Sequence, residues 1–309
     1  MFSVRQRFKV VQTTVLNSAE SISPEDVPKI LTFNELADWQ RDNEYIVSGY
    51  RRLQYHWKGC FRSVYAYLHN ETVNIHSHLW GAVLFFYLLV AERPIHLTTK
   101  LAGTLDSAVL SVFFASAVVC LAASAFYHTF TCHSEEVASR CHSLDYSGII
   151  ILIVGSFYPS LYYGFFCEPY LQLLYITSIT LVGLGAAYIV LDPEYAKPTH
   201  RGTRTGVFVG LGLCAIFPVA HWTFVHGIGQ MFREMGFSWL LVSGCTYFVG
   251  ALLYANRVPE RFLPGRFDYF FASHQIFHFC VIFAALAHYA FILTAIEHTY
   301  TRLVCLAAR

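Results

Sequence analysis

Seven stretches of this chain contain no Asp, Glu, Lys or Arg: Val73 to Ala91, Ser107 to Thr131, Tyr146 to Cys167, Pro169 to Leu191, Thr205 to Met231, Met235 to Ala255 and Tyr269 to Ile296. Each reaches or approaches the roughly 20 residues that cross about 30 Å of hydrocarbon. In lipid every backbone N–H and C=O must be satisfied within the protein, so runs of this length read as helices. The predicted fold class is therefore all-α, a bundle of seven transmembrane helices. Composition agrees: 55% of residues are hydrophobic and 13% charged, against about 25% charged in a typical soluble domain. The net charge of +1 gives no reason to expect a nucleic-acid partner.

The flanks define three parts. Residues 1–62 carry much of the charge and no long apolar run, and read as an N-terminal arm. Its segment FNELADWQRDNEYIVSGYR suits a short helix lying at the membrane surface. Residues 63–297 form the seven-span domain, and residues 298–309 a C-terminal tail. No apolar core near the N-terminus is long enough for a cleaved signal peptide, so the first span is expected to drive insertion.

Orientation follows from the basic residues flanking the spans. With the N-terminus inside, the inner set is Arg51, Arg52, Lys58, Arg62, Arg140, Lys197, Arg201, Arg204, Arg257, Arg261 and Arg266; the outer set is Arg93, Lys100, Arg233, Arg302 and Arg309. Eleven against five predicts a cytoplasmic N-terminus and a C-terminus outside or in a lumen. The nine cysteines show no paired spacing, which argues against a disulfide framework. Gly206 and Gly210 form a GxxxG in the fifth span and are expected at a close contact between helices.

Four ionisable groups distant in sequence come to one depth under this topology. His128 lies near the end of the second span, Asp145 at the start of the third, and His274 and His278 early in the seventh. All four ends are on the inner side. His274 and His278 are i and i+4, so their rings share one helix face. Two imidazoles so placed, with a third from the second span, suit Zn2+, and three protein ligands leave the fourth tetrahedral position for water. Asp145 is either a fourth ligand or the group that orients that water. Ionisable residues at this depth mark function more often than packing when several coincide.

Other polar groups read differently. Glu71, Asn74 and His78 suit an interhelical clamp. Cys132, His133, Cys141 and His142 match no zinc module, and read as loop and interface residues. His221, His226 and His288 are expected to pack. No lysine lies within a span, which excludes a retinal Schiff base of the usual kind, and there is neither a phosphate-binding glycine loop nor a GxSxG serine elbow.

The segments ETVNIHSH (71–78), SAFYHTFTCHS (124–134), LDYSGI (144–149), GSFYPSLYY (155–163), VPERFLPGRFD (258–268) and SHQIFH (273–278) closely resemble the progestin and adipoQ receptor family, a haemolysin III-related group. The resemblance is nearest to its adiponectin receptor branch and the fungal relatives of that branch. It runs from about Asn34 to Tyr289 and implies a seven-helix receptor of inverted topology with an intramembrane zinc. The zinc ligands it implies are His128, His274 and His278; Asp145 would hold the zinc-bound water, and Ser124 matches the family's polar position at the site.

The resemblance further implies hydrolysis of ceramide to a sphingoid base and a fatty acid, zinc and sterol homeostasis in fungi, and no usual coupling to G proteins. The expected partners are membrane lipids, ceramide or free fatty acid in a cavity of the bundle, and an extracellular protein ligand has only short loops and a tail to grip. The plasma membrane and the endoplasmic reticulum both suit such a chain. Three readings follow: a zinc-dependent lipid amide hydrolase, a receptor or sensor with structural zinc, and a zinc or ion transporter. Transport would need polar groups continuing to the outer face, and the sequence offers only scattered His, Ser and Thr there.

Overall fold

A computed structural model of the protein describes residues 29–96, 104–192, 194–195 and 198–301. Residues 1–28 of the arm and 302–309 of the tail lie outside it. The described residues contain seven helices, Thr72–Ala91, Thr104–Phe130, Glu135–Gly164, Pro169–Val190, Arg201–His226, Phe237–Asn256 and Ser273–Tyr300, that are long and apolar enough to cross a membrane. They correspond one to one with the seven uncharged stretches.

In chain order the helices are α1 (Trp57–Ala66), α2 (Thr72–His96), α3 (Thr104–Phe130), α4 (Glu135–Gly164), α5 (Pro169–Val190), α6 (Arg201–Leu213), α7 (Ile216–His226), α8 (Ile228–Glu234), α9 (Phe237–Asn256) and α10 (Ser273–Thr301). The fifth span is thus two helices. Pro218 has no N–H to bond the carbonyl of Cys214, and its ring crowds that carbonyl, so the helix breaks at Cys214–Ala215.

Four boundaries differ from the sequence reading. α4 begins at Glu135, where two carboxylates favour a helix N-terminus, so Asp145 lies inside that helix rather than opening it. In the arm, the segment expected to be a surface helix forms two short 3-10 turns, Phe33–Glu35 and Asp38–Gln40, and a two-stranded antiparallel sheet, β1 (Ile30–Leu31) with β2 (Tyr50–Arg51). The surface helix is instead α1, which straddles the expected domain boundary at residue 62. α10 continues to Thr301, past the expected start of the tail.

The His56 ring caps α1, accepting from Gly59 N at 2.8 Å. Cys60 and Ser63 are buried on one side of α1, while Trp57, Phe61 and Tyr65 are exposed on the other. An i, i+4, i+8 apolar stripe of this kind suits a helix lying in the headgroup layer.

The core lies around α3, where Leu110, Phe113, Phe114, Ala117 and Leu121 are fully buried. Lipid tails are as apolar as Leu, so close packing of small residues, rather than a hydrophobic drive, brings membrane helices together. A Cβ on Gly148 would stand 2.8 Å from the Cα of Cys120, and one on Gly155 would stand 2.0 Å from Ser116 Oγ. These two glycines of α4 set the α3–α4 contact. Gly206 and Gly210 do not play the expected role: nothing lies within 4 Å of a Cβ built on either. The GxxxG spacing was present, but the fifth span sits at the periphery, with 11% of its apolar window buried against 56% for Thr104–Phe130.

Candidate metal centre

Close α3–α4 packing and the α2–α10 contacts bring the predicted histidines together. His128 arrives one turn before the end of α3, and His274 and His278 on the first two turns of α10. One ligand atom from each lies within 4.8 Å of the others. Among the described residues this is the one such group of three. His128 Nε2 and His274 Nε2 stand 3.1 Å apart.

The surroundings fix the tautomers. His128 Nδ1 lies 2.7 Å from Glu71 Oε2; the carboxylate can only accept, so Nδ1 carries the proton and Nε2 presents its lone pair. His278 Nδ1 lies 3.2 Å from the Asn74 carbonyl, with the same consequence. Tetrahedral Zn–N bonds of about 2.05 Å would set neighbouring nitrogens about 3.3 Å apart, close to the 3.1 Å between His128 and His274 Nε2, with the His278 nitrogen inside a 4.8 Å limit. The donor set fits a divalent ion held by three neutral imidazoles.

The expected clamp of Glu71, Asn74 and His78 is therefore the support of the histidine cluster. Asn74 Nδ2 donates to Glu71 Oε2 at 2.7 Å, and the His78 ring stacks on His278 with centroids 3.5 Å apart and planes at 11°. Carboxylate partners of this type raise ligand basicity and hold the ring in place. Glu71→Gln keeps the shape and removes the charge, and is expected to lower metal affinity by about 10- to 100-fold. Competition against a chromogenic chelator reads this, and unchanged affinity would remove Glu71 from the site.

Asp145 is buried and lines the same cavity as the three histidines. It stands outside the set of mutually close ligand atoms, with Ser124 beside its carboxylate. Asp145 is thus beside the three histidines in the cavity wall without being one of the close group.

Further supports were not legible in sequence. Arg51, buried in the arm, donates from Nη2 to the carbonyl of His128 and to Thr131 Oγ1 (2.8 Å), and from Nη1 to the carbonyl of Thr129 (3.0 Å) and Ser63 Oγ (2.9 Å). It closes the C-terminal end of α3, where carbonyls lack helical partners. Glu260, fully buried, accepts from Ser273 N (2.8 Å), from Ser273 Oγ and from Asn43 Nδ2 (3.1 Å). It thereby seats the N-terminus of α10 beside His274. Asp268 accepts from the N–H groups of Val47 and Ser48, both at 2.9 Å, pinning the arm. The signal for the pair was the carboxylates of VPERFLPGRFD, whose partners in the arm lie more than 200 residues away.

A cavity of about 1090 Å3 opens from the histidines into the bundle, reaching Ser160, Phe165, Trp222 and Met231. His288 lies in its wall, bonded through Nε2 to Ser160 Oγ (3.1 Å) and to the carbonyl of Ser156 (3.0 Å). His221 meets the Tyr175 hydroxyl at 2.9 Å and His226 stacks on Trp222, the packing roles expected for them. Cys132 and Cys141 are buried with Cys60 and Phe130 in a small apolar cluster.

The family described as haemolysin-III related matches residues 66–289. Over 264 residues the chain is 40% identical to progestin and adipoQ receptor-like protein 1 of Caenorhabditis elegans, covering 84% of this chain and 59% of the worm protein. It is 38% identical to the adiponectin receptor protein of Drosophila melanogaster, over 84% of this chain and 58% of the fly protein. It is 34% identical to the ADIPOR-like receptor IZH2 of Saccharomyces cerevisiae, over 98% of each chain. The chain thus spans about three-fifths of the length of the worm and fly proteins and nearly all of the yeast one. By the match over its helical bundle and by these relatives, the chain belongs to the progestin and adipoQ receptor family.

Proposed function

We propose that His128, His274 and His278 hold Zn2+ and that the protein hydrolyses the amide of a ceramide-like lipid lodged in the bundle. The observation that carries this reading is the placement of a three-imidazole site and a separate buried carboxylate at one end of a long, largely apolar cavity. The metal, when bound, supplies Lewis acidity and lowers the pKa of water toward about 7. Asp145 accepts the proton of the attacking water and later passes it to the leaving amine. Ser124 holds the Asp145 carboxylate in place; once Asp145 is protonated it can donate to Ser124, which frees the Ser124 hydroxyl for the oxyanion. The cavity takes the acyl chain and excludes bulk water. Release of fatty acid from ceramide by the purified protein in lipid, with and without a chelator, tests the reading.

The named receptors among the relatives favour a second reading, in which the zinc is structural and the cavity senses lipid without turnover. It is separated from the first by the same assay.

We infer further that the metal end faces the cytoplasm of an integral membrane protein of the plasma membrane or endoplasmic reticulum. The excess of Lys and Arg on that side supports this. Reporter tags at the two termini are expected to place the N-terminus in the cytoplasm and the C-terminus outside or in the lumen. A cytoplasmic C-terminal tag would reverse the assignment.

A further inference from the structure

Cys60 faces inward from α1, and Cys132 lies in the turn after α3, with their Sγ atoms 3.7 Å apart. Both thiols are free and buried, and Cys132 also lines the large cavity, which gives a small oxidant a way in. The two segments are already laced together. Gln54 N donates to the Cys132 carbonyl at 2.8 Å, and Tyr55 N to that of His133 at 3.0 Å. Trp57 and Phe61 of α1 pack edge-on against Phe130, with ring centroids 4.6 and 5.0 Å away. A disulfide requires an S–S distance of about 2.05 Å, so on the order of 1.6 Å of approach would close the bond.

The pair adjoins the metal site through one residue. Ser63 Oγ donates to the Cys60 carbonyl at 2.7 Å, and Arg51 donates to Ser63 Oγ on one side and to the carbonyls of Thr129 and His128 on the other. The Cys132 thiol itself points at the Thr129 carbonyl, 3.7 Å away. Drawing the sulfurs together therefore shifts both walls of the slot in which Arg51 sits, and the backbone of His128 is held by Arg51.

We propose that Cys60 and Cys132 form a reversible thiol–disulfide couple, and that its oxidation loosens the hold of His128 on the metal. Hydrogen bonding with Cys60, helped by the Arg51 charge, holds the Cys132 thiol below its ordinary value against the opposing effect of burial. The same hydrogen bond and burial push Cys60 up. Cys132, which lines the cavity where Cys60 does not, meets the oxidant first and is the attacking thiolate, with Cys60 the resolving thiol. With a peroxide as oxidant, the Cys132 sulfur takes one oxygen to become a sulfenic acid and water leaves. The Cys60 sulfur then attacks that sulfur, its proton departs with the hydroxyl as a second water, and the S–S bond forms. Two electrons pass from the thiols to the peroxide, and a dithiol returns them. On a cytoplasmic face the resting state is the reduced one.

The coupling to the metal rests on the zinc reading above, whereas the thiol chemistry does not. The purified full chain in lipid nanodiscs would be treated with hydrogen peroxide, digested without reduction and mapped by mass spectrometry, and its zinc affinity measured before oxidation, after oxidation and after dithiothreitol. The expected result is a Cys60–Cys132 linked peptide, a drop in zinc affinity of about tenfold and recovery on reduction. Cys60→Ser should bind zinc normally and show no peroxide effect; should that variant misfold, the dithiothreitol reversal on the unaltered chain carries the same information. Absence of the linked peptide at peroxide levels that oxidise glutathione added to the same sample overturns the proposal, as does a linked peptide with unchanged zinc affinity. A chain that forms the link yet never binds zinc fails the metal reading and leaves the thiol couple standing.

Discussion

Replacing His274 and His278 together with alanine is expected to take the purified protein from one zinc per chain to none. Both rings lie on the first turns of α10 and both reach the same point as His128. Removing them leaves one imidazole, which cannot hold Zn2+ against water and competing ligands at ordinary concentrations. The double change also leaves the Glu260 seat of α10 and the Glu71 contact to His128 in place, so loss of metal would not simply report unfolding. Elemental analysis after size-exclusion chromatography decides it. Zinc at unchanged stoichiometry in the double variant would mean that the metal sits elsewhere, and would remove the basis for the hydrolytic reading. His128→Ala is expected to lose metal and turnover together.

Asp145→Asn should leave zinc bound and lower ceramide hydrolysis by about 100-fold or more, the range for loss of a general base. The substitution keeps the volume of a buried side chain beside Ser124, so the bundle has little reason to change. What it removes is the capacity to take a proton from the attacking water. Because Asp145 lies outside the close set of ligand atoms, metal content and rate should separate, which they would not if the carboxylate were a ligand. Hydrolysis that survives both a chelator and this change would come from some other agent, and the sensor reading would then describe the protein better.

Much of this arrangement was legible in the sequence because lipid imposes simple rules. Uninterrupted uncharged runs have to be helices, and the depth of His128, His274 and His278 follows from the ends of those runs. Helix boundaries were less legible. α4 starts well before Tyr146 because a helix can leave the membrane and carry Glu135, Glu136 and Arg140 into water; absence of charge marks the lipid boundary rather than the helix boundary. The break before Pro218 could have been read from that proline. Gly206 and Gly210 misled because spacing says which residues share a face, not whether another helix lies against it. The roles of Arg51, Glu260 and Asp268 were beyond a local reading, since each bonds across a separation of 77 residues or more to at least one partner. Glu71 showed its Asn74 partner at three residues' distance, yet its contact with His128 required the packing of α2 against α3.

The clamp between the arm and the loop before α10 has a consequence for biogenesis. Glu260 and Asp268 leave the ribosome 217 to 221 residues after the groups of Asn43, Val47 and Ser48 that they bond. Two of the three histidines arrive later still. The arm must therefore wait at the membrane surface while six spans are made, and it can dock there only once the loop before α10 exists. Under the zinc reading, metal loading is in this way tied to the making of α10: a product stalled before Val258 lacks His274, His278 and the loop that seats them, and leaves Asn43, Val47 and Ser48 without their carboxylate partners. Cellular quality control has, in that loose arm, a feature by which to tell an incomplete chain from a complete one.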